Sequence, residues 1–313
     1  MHQLIEVLRS ELSNSFLNEL ADSAEFKVKN RRLAFTTDSY VVKPLFFPGG
    51  DIGKLAVCGT VNDLAMKAAR PRFISLALIV EEGFLFSDLR RIIRSIKKEA
   101  NKAGVDVVTG DIKAVEKGAA EGLFINTSGI GTINYPRRVG LSPKPGDLIV
   151  INGAIAEHGM AVLNARQKLG FSSAIKSDCQ SLNYLVQRCL GASKNISFMR
   201  DLTRGGLATI LNEIAHCAGV GIDINESDIP IKPAVARLCD ILGFDPLYVA
   251  NEGKFICLVA GRDARKVKKA LGKQARVIGR VTSAHKKEVY LNTRIGTRRL
   301  LLVLESDQLP RIC

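Results

Sequence analysis

Phe46-Phe47-Pro48-Gly49-Gly50-Asp51-Ile52-Gly53-Lys54-Leu55-Ala56-Val57-Cys58-Gly59-Thr60-Val61-Asn62-Asp63-Leu64-Ala65-Met66 is the stretch on which the fold turns. Its proline and glycines break the chain, and a helix is expected from about 51 to 68. Glycines at a helix start leave backbone N–H groups facing an anion, with Lys54 one turn in. The pattern G-x-x-x-x-G-K-[ST] is absent, so this is not a P-loop. Asn62 and Asp63 stand among Val61, Leu64, Ala65 and Met66, a polar pair in an apolar helix.

Upstream, 4–20 reads as an amphipathic helix and 32–42 as a strand with Asp38 in its middle. A carboxylate buried without a partner is costly, so Asp38 lies at an edge or holds a cation. Downstream, 73–80 reads as a strand, 87–103 as a helix capped by Ser87, 105–108 as a strand and 123–133 as another. The strand at 105–108 ends in Thr109-Gly110-Asp111-Ile112-Lys113, a third acid ahead of a lysine. Prolines and glycines at 134–146 mark a domain boundary.

Beyond it come a strand at 148–152 and helices at 157–168 and 182–190. Arg204-Gly205-Gly206 leads into a helix through His216, either an anion cradle or a simple turn and cap. Strands are expected at 221–225, 255–260, 275–281 and 288–291, with Asn251-Glu252-Gly253-Lys254 entering the second of these. The expected class is α/β (α+β). The expected division is 1–134, 146–300 and a tail at 301–313.

At 313 residues and 46% hydrophobic, the chain is long enough for two cores. The longest apolar run, 73–80, is far short of the roughly 20 residues of a membrane helix. The opening residues are unlike a secretory signal, and seven cysteines without a C-x-x-C read as reduced thiols, mostly in the core. Both point to the cytoplasm. Four histidines have no zinc-ligand spacing. The net charge of +14 raises a nucleic-acid or scaffold reading, but the cations are spread out. Arg90, Arg91, Arg94, Lys97 and Lys98 form a solvated helix face, and aromatic residues make up only 6%.

The chain ends Leu309-Pro310-Arg311-Ile312-Cys313. A terminal thiol behind a rigid proline can enter a pocket or reach a partner, although a loose terminus that happens to end in Cys reads equally well. Asp38, Asp63 and Asp111 come from three separate elements. Oxygen ligands of that kind, with glycine-rich N–H donors, suit Mg²⁺ carrying nucleotide phosphates.

Thr36-Thr37-Asp38-Ser39-Tyr40-Val41-Val42, the opening stretch, Thr109-Gly110-Asp111, Arg204-Gly205-Gly206-Leu207-Ala208-Thr209 and Pro310-Arg311-Ile312-Cys313 together resemble the HypE hydrogenase-maturation family. That family sits within the PurM-like, aminoimidazole-ribonucleotide-synthetase-like ATP-using group. The resemblance implies an N-terminal α/β domain that dimerises through its sheet, a C-terminal α/β sandwich and a mobile tail. It implies that Cys313 receives a carbamoyl group from the carbamoyltransferase HypF and that ATP-dependent dehydration converts it to a thiocyanate. The cyanide then passes through a HypC–HypD complex to the iron of [NiFe]-hydrogenase. Carried over residue by residue, Asp38, Asp63 and Asp111, with Asp22 beside them, would hold Mg-ATP. Lys54, Asn62, Gly110, Arg204, Gly205 and Gly206 would line the phosphates, and Lys113 and Glu252 would flank Cys313. The chain departs from the family at Ile112, usually Thr, at Leu202, usually Pro, and in lacking a His-Gly-x-Gly-Gly stretch ahead of the first helix. The enzymatic alternative is another PurM-like synthetase or a small-molecule kinase, neither of which would need Cys313.

Overall fold

The structure, a computed structural model, describes residues 23–136, 138–140, 143–169, 175–304, 308–309 and 312. The expected helix at 4–20, Asp22 and Cys313 lie outside the described residues.

The first half builds β1 (Ala24–Val28), β2 (Arg31–Tyr40), β3 (Phe46–Phe47), β4 (Gly50–Asp51), α1 (Ile52–Met66), β5 (Ala69–Glu81), α2 (Phe86–Ala103), β6 (Asp106–Val115) and β7 (Leu123–Ile133). Its sheet runs β1-β2-β7-β5-β6, with β6 parallel to β5 and the other pairs antiparallel. Strict alternation along β7 turns Ile125, Thr127 and Gly129 toward the helices and Asn126, Ser128 and Ile130 to the other face.

Asp51 caps α1, its side chain accepting the Lys54 N–H at 2.9 Å. Of the 15 residues in α1, only Lys54 and Asp63 are not buried. A helix apolar on every side belongs inside, and α1 packs on β2, β5, β7 and α2 of its own half and on the segments Asn183–Ala192 and Ile196–Asp201 of the second.

The second half builds β8 (Asp147–Ile151), α3 (Glu157–Gln167), α4 (Asn183–Ala192), β9 (Ile196–Asp201), α5 (Gly206–Ala218) and β10 (Gly221–Asn225). It continues with α6 (Pro233–Leu242), β11 (Phe255–Ala260), α7 (Ala264–Leu271), β12 (Arg276–Thr282), β13 (Val289–Asn292) and β14 (Arg298–Leu300). The sheet order is β14-β13-β10-β12-β8-β11-β9. Ile149 and Ile151 of β8 join the α5 core, while Val150 joins the core of α4 and α7. Cover on both faces explains why β8 and β11 read as continuous apolar runs.

Several elements differ from expectation. Leu85, not Ser87, occupies the cap position of α2, and no side chain caps it. β6 runs on to Val115, so Asp111 is inside a strand rather than at its end. β1, β9, α6, α7 and β14 carry weak patterns; α7 shows only Ala264, Val267 and Leu271 buried among four cations. Cys217 is exposed, so it is not a core thiol.

Candidate functional site

The helix-facing side of β2 meets the last turn of α1. Thr36 Oγ1 donates to Asp63 Oδ2 at 2.8 Å, and Ser23 Oγ donates to the Asp63 carbonyl at 2.8 Å. Asp38, two residues beyond Thr36 on the same face, accepts the Ser39 N–H at 2.8 Å. Burial pushes its carboxyl up, against the Tyr40 hydroxyl, the Ser39 N–H and the Arg204 charge. Tyr40 is pushed well above its ordinary range, first by burial and then by Asp38 and Asp63. Two carboxylates and Arg204 therefore share one electrostatic neighbourhood.

Asn62 is 1% exposed. Its Nδ2 donates to the carbonyls of Gln180 (3.2 Å) and Glu252 (3.4 Å), and its Oδ1 accepts the Leu182 N–H at 2.7 Å. The amide expected on phosphates is committed to joining α1 to two loops. Lys54 Nζ donates to the Gly49 carbonyl at 2.9 Å. Gly49 has φ +97°, and a Cβ there would sit 2.7 Å from the Ser177 carbonyl oxygen.

Glu252 is 3% exposed, and no described residue pairs with or donates to its carboxyl. Burial raises it well above 4.5, and Asp201, Asp38, Asp178 and Cys58 raise it further. Its backbone is held tightly. The N–H groups of Glu252 and Gly253 donate to the two oxygens of Asp178, each at 3.1 Å. Lys254, two residues on, pairs with Asp178 at 3.1 Å and Glu157 at 3.6 Å rather than with Glu252. Glu157 also pairs with Lys232.

Gly205 and Gly206 open α5 with φ of +71° and +60°, and no side chain caps the helix. Added at Gly206, a Cβ would meet the Leu247 carbonyl at 2.6 Å. An open helix start without side chains suits an anion. Gly206→Ala is expected to cost about 1–3 kcal/mol, from a left-handed backbone and a clash with main chain. A thermal melt checks this, and an unchanged Tm would contradict it.

Gly110, Asp111 and Lys113 stand apart from this cluster. Asp38 pairs with Thr127, Thr127 with Leu76, and Leu76 with Gly110, so the row crosses three strand spacings, about 14 Å. Asp111 pairs with Ala77 and Lys113 with Ile79, both on the opposite face of the sheet from Asp38. They form an exposed ion pair of 3.3 Å. One chain thus brings Asp38, Asp63, Arg204 and Glu252 together and leaves Asp111 and Lys113 outside. Among the described residues there is no group of three metal-ligating side chains.

Two features had no signal in the sequence. The loop from Ser177 to Leu182 ties the Pro48 carbonyl, Asn62 and Glu252 together, through the Ser177 N–H at 2.8 Å and the contacts above. His158, in the first turn of α3, is fully buried with Nδ1 2.7 Å from Ser177 Oγ and Nε2 2.9 Å from the carbonyl of Ile312. The residue before the terminal cysteine is therefore docked in the body of the protein.

Known proteins resemble this chain along nearly its whole length. Residues 20–133 match the AIR synthase related protein N-terminal domain, and 144–292 match its C-terminal domain. Carbamoyl dehydratase HypE of Rhodobacter capsulatus is 48% identical over 288 residues, covering 90% of this chain and 85% of that one. A crystal structure of a HypE–HypF complex superposes with a TM-score of 0.92 at 43% identity, covering 96% of this chain and 99% of that one. A crystal structure of HypE in complex with ATP gives a TM-score of 0.88 at 44% identity, covering 100% and 96%. With both AIR-synthase-related domains in order and such identity along nearly its whole length, the chain belongs to the carbamoyl dehydratase HypE family.

Proposed function

We infer that this chain dehydrates an S-carbamoylated Cys313 to a thiocyanate with ATP, supplying cyanide for the iron of [NiFe]-hydrogenase. The observation that carries this is the seating of the tail. Ile312 is 3% exposed and packs in one cluster with Tyr40, Phe47, Cys58, Cys179 and Ala250, two residues ahead of Glu252. Ile312 thereby seats the end of the tail in the same cluster as the segment leading to the raised carboxyl.

In the net reaction one C–O bond breaks, a C≡N bond forms and the oxygen leaves on phosphate, so that carbamoyl thioester and ATP give thiocyanate, ADP and phosphate. ATP supplies the phosphoryl group that turns a poor amide leaving group into a good one. Glu252, with no competing partner among the described residues, accepts a proton from the carbamoyl nitrogen. Asp38 and Asp63 are hard oxygen donors on one side of α1, and they fit Mg²⁺, which takes few carboxylates along with phosphate oxygens. Asp22 would join them. Lys54, Arg204 and the bare cradle of Gly205 and Gly206 fit the phosphates. Asn62 acts by holding the loops around them.

Asp111, Lys113 and Gly110 enter this proposal through a second copy of the chain. The face of the first sheet turned away from the helices carries Phe35 at 44%, Phe73 at 47% and Ile79 at 43% exposure. An apolar sheet face of that kind calls for cover, and a homodimer joined through it would enclose Asp111 and Lys113. The complex of a relative with HypF supports the same donor here. Delivery to HypC–HypD, a cytoplasmic setting and the division of the chain at 134–146 complete the reading. No helix among the described residues is long and apolar enough to cross a membrane.

The test is the intact mass after incubation with the carbamoyl donor system. A carbamoyl adduct is expected on Cys313 that loses one water only when ATP is present. Cys313→Ala is expected to show neither mass while keeping its fold. Unchanged product from that variant would sink the tail chemistry in favour of a small-molecule kinase or synthetase.

A further inference from the structure

We propose that His158 is the positioning residue for the C-terminal tail: its imidazole clamps the carbonyl of Ile312 and so sets how often Cys313 is presented to Glu252. The proposal rests on the dehydratase reading for its catalytic consequence, though the clamp itself does not. A main-chain carbonyl only accepts, so His158 Nε2 carries the proton and donates to Ile312 at 2.9 Å. Nδ1 is then the acceptor and takes the hydroxyl proton of Ser177 at 2.7 Å. The Ser177 oxygen in turn accepts the N–H of Cys179 at 3.0 Å. Each hydrogen bond in this buried chain has an assigned donor and acceptor, and the tautomer is fixed by its neighbours.

Packing holds the same residue from its other sides. The imidazole meets the Phe47 ring edge-on, with centroids 5.4 Å apart and planes at 87°. At the next position, Gly159 leaves room for the tail: a Cβ there would lie 3.2 Å from Leu309 Cδ1 and 2.5 Å from Val249 Cγ1. The tail therefore has two seats on the start of α3, Leu309 over Gly159 and Ile312 against His158. Ser177 also donates its N–H to the Pro48 carbonyl, so the clamp rests on the loop that opens α1.

The reaction needs a tail that comes in for dehydration and goes out to receive and deliver its group. The strength of one buried hydrogen bond controls the balance between the two positions. Removing it raises the undocked fraction, and a thiol that reacts only when undocked reports that fraction directly.

The experiment compares full-length wild type, His158→Phe and His158→Gln. Phe keeps a ring against Phe47 and removes the donor; Gln restores an amide N–H. Alkylation of Cys313 by iodoacetamide is followed by the mass of the C-terminal peptide. It is expected to be about tenfold faster in His158→Phe, equivalent to about 1.4 kcal/mol, and near wild type in His158→Gln. A tail that is mostly docked stays mostly docked after such a shift, so the kcat for dehydration should fall by much less than tenfold in His158→Phe, with KM for ATP unchanged. If His158→Phe does not fold, Ser177→Ala takes its place. Loss of the hydroxyl leaves Nδ1 without its donor, which shows in the imidazole ¹⁵N shifts, and loosens the ring that holds Ile312, which speeds alkylation. A folded His158→Phe with wild-type alkylation and wild-type kcat overturns the proposal. Faster alkylation in a protein whose wild type makes no thiocyanate would uphold the clamp and refute the dehydratase reading instead.

Discussion

Glu252→Gln is expected to lower the dehydration rate by about 10²–10⁴-fold, the range over which a positioned general base acts, while making the fold more stable at neutral pH. Both effects come from one carboxyl. It is 3% exposed, and its pKa is raised above 4.5 by burial first and then by Asp201, Asp38, Asp178 and Cys58. A base must be deprotonated to work, so wild-type kcat/KM should rise with pH through the pKa of Glu252, and Gln should abolish that limb. For stability the sign is reversed. The folded protein binds this proton more tightly than the unfolded chain, so wild type loses stability as pH rises from about 4.5 through the raised folded value. Gln has nothing to ionise, and the two melting curves should diverge as pH increases, by roughly 2 °C in Tm or more at pH 8 for about 1 kcal/mol. Near-wild-type turnover would remove Glu252 as the base. A variant less stable than wild type at every pH would mean that the carboxyl serves the fold.

The gain in stability is expected because the site concentrates like charges where the fold does not need them. Asp38 and Glu252 are both pushed up by burial, and each feels neighbouring charge from the other half of the chain: Asp38 from Arg204, Glu252 from Asp38. A core assembled only for stability would hold apolar groups there. Charge placed at an energetic cost is what a functional centre is expected to show, and here it lies where α1 and the loops around it meet both halves of the chain.

The sequence makes much of this legible, for physical reasons that differ by element. α1 is readable because its glycine and proline breakers, its Asp51 cap and its all-apolar body agree with one another. Asp38 is readable because an acid in the middle of a β-rich run conflicts with burial. α7 was missed because four cations hide three buried positions, and β9 because Ile196 to Asp201 shows no clean alternation. The clamp at His158 and the loop at Ser177 to Leu182 have no local pattern at all. Their meaning comes from long-range contacts: Asn62 to Leu182 spans 120 residues and His158 to Ile312 spans 154. Periodicity reports neighbours along one element and carries no trace of such pairs. The same limit explains Asp111, whose residue type suits a metal but whose strand turns it to the far face of the sheet.

Lys254→Met is expected to destabilise the protein by about 3–5 kcal/mol, the largest loss of stability from any single substitution considered, because it removes the cation from a buried charge group. Lys254 is 7% exposed at its side chain, Asp178 1% and Glu157 8%. Glu157 keeps Lys232, which is half exposed and shields it from the solvent side. Asp178 keeps no cation, only the N–H groups of Glu252 and Gly253. Asp178→Asn placed on top of Lys254→Met should therefore recover part of the loss, since Asn retains one accepting oxygen without the charge, and a double-mutant cycle would read the coupling directly. Activity should fall in step with stability in the single variant, because Asp178 is what fixes the backbone of Glu252. A loss below about 1 kcal/mol would show that Lys254 serves only as a surface cation, and additive effects in the cycle would separate Asp178 from it.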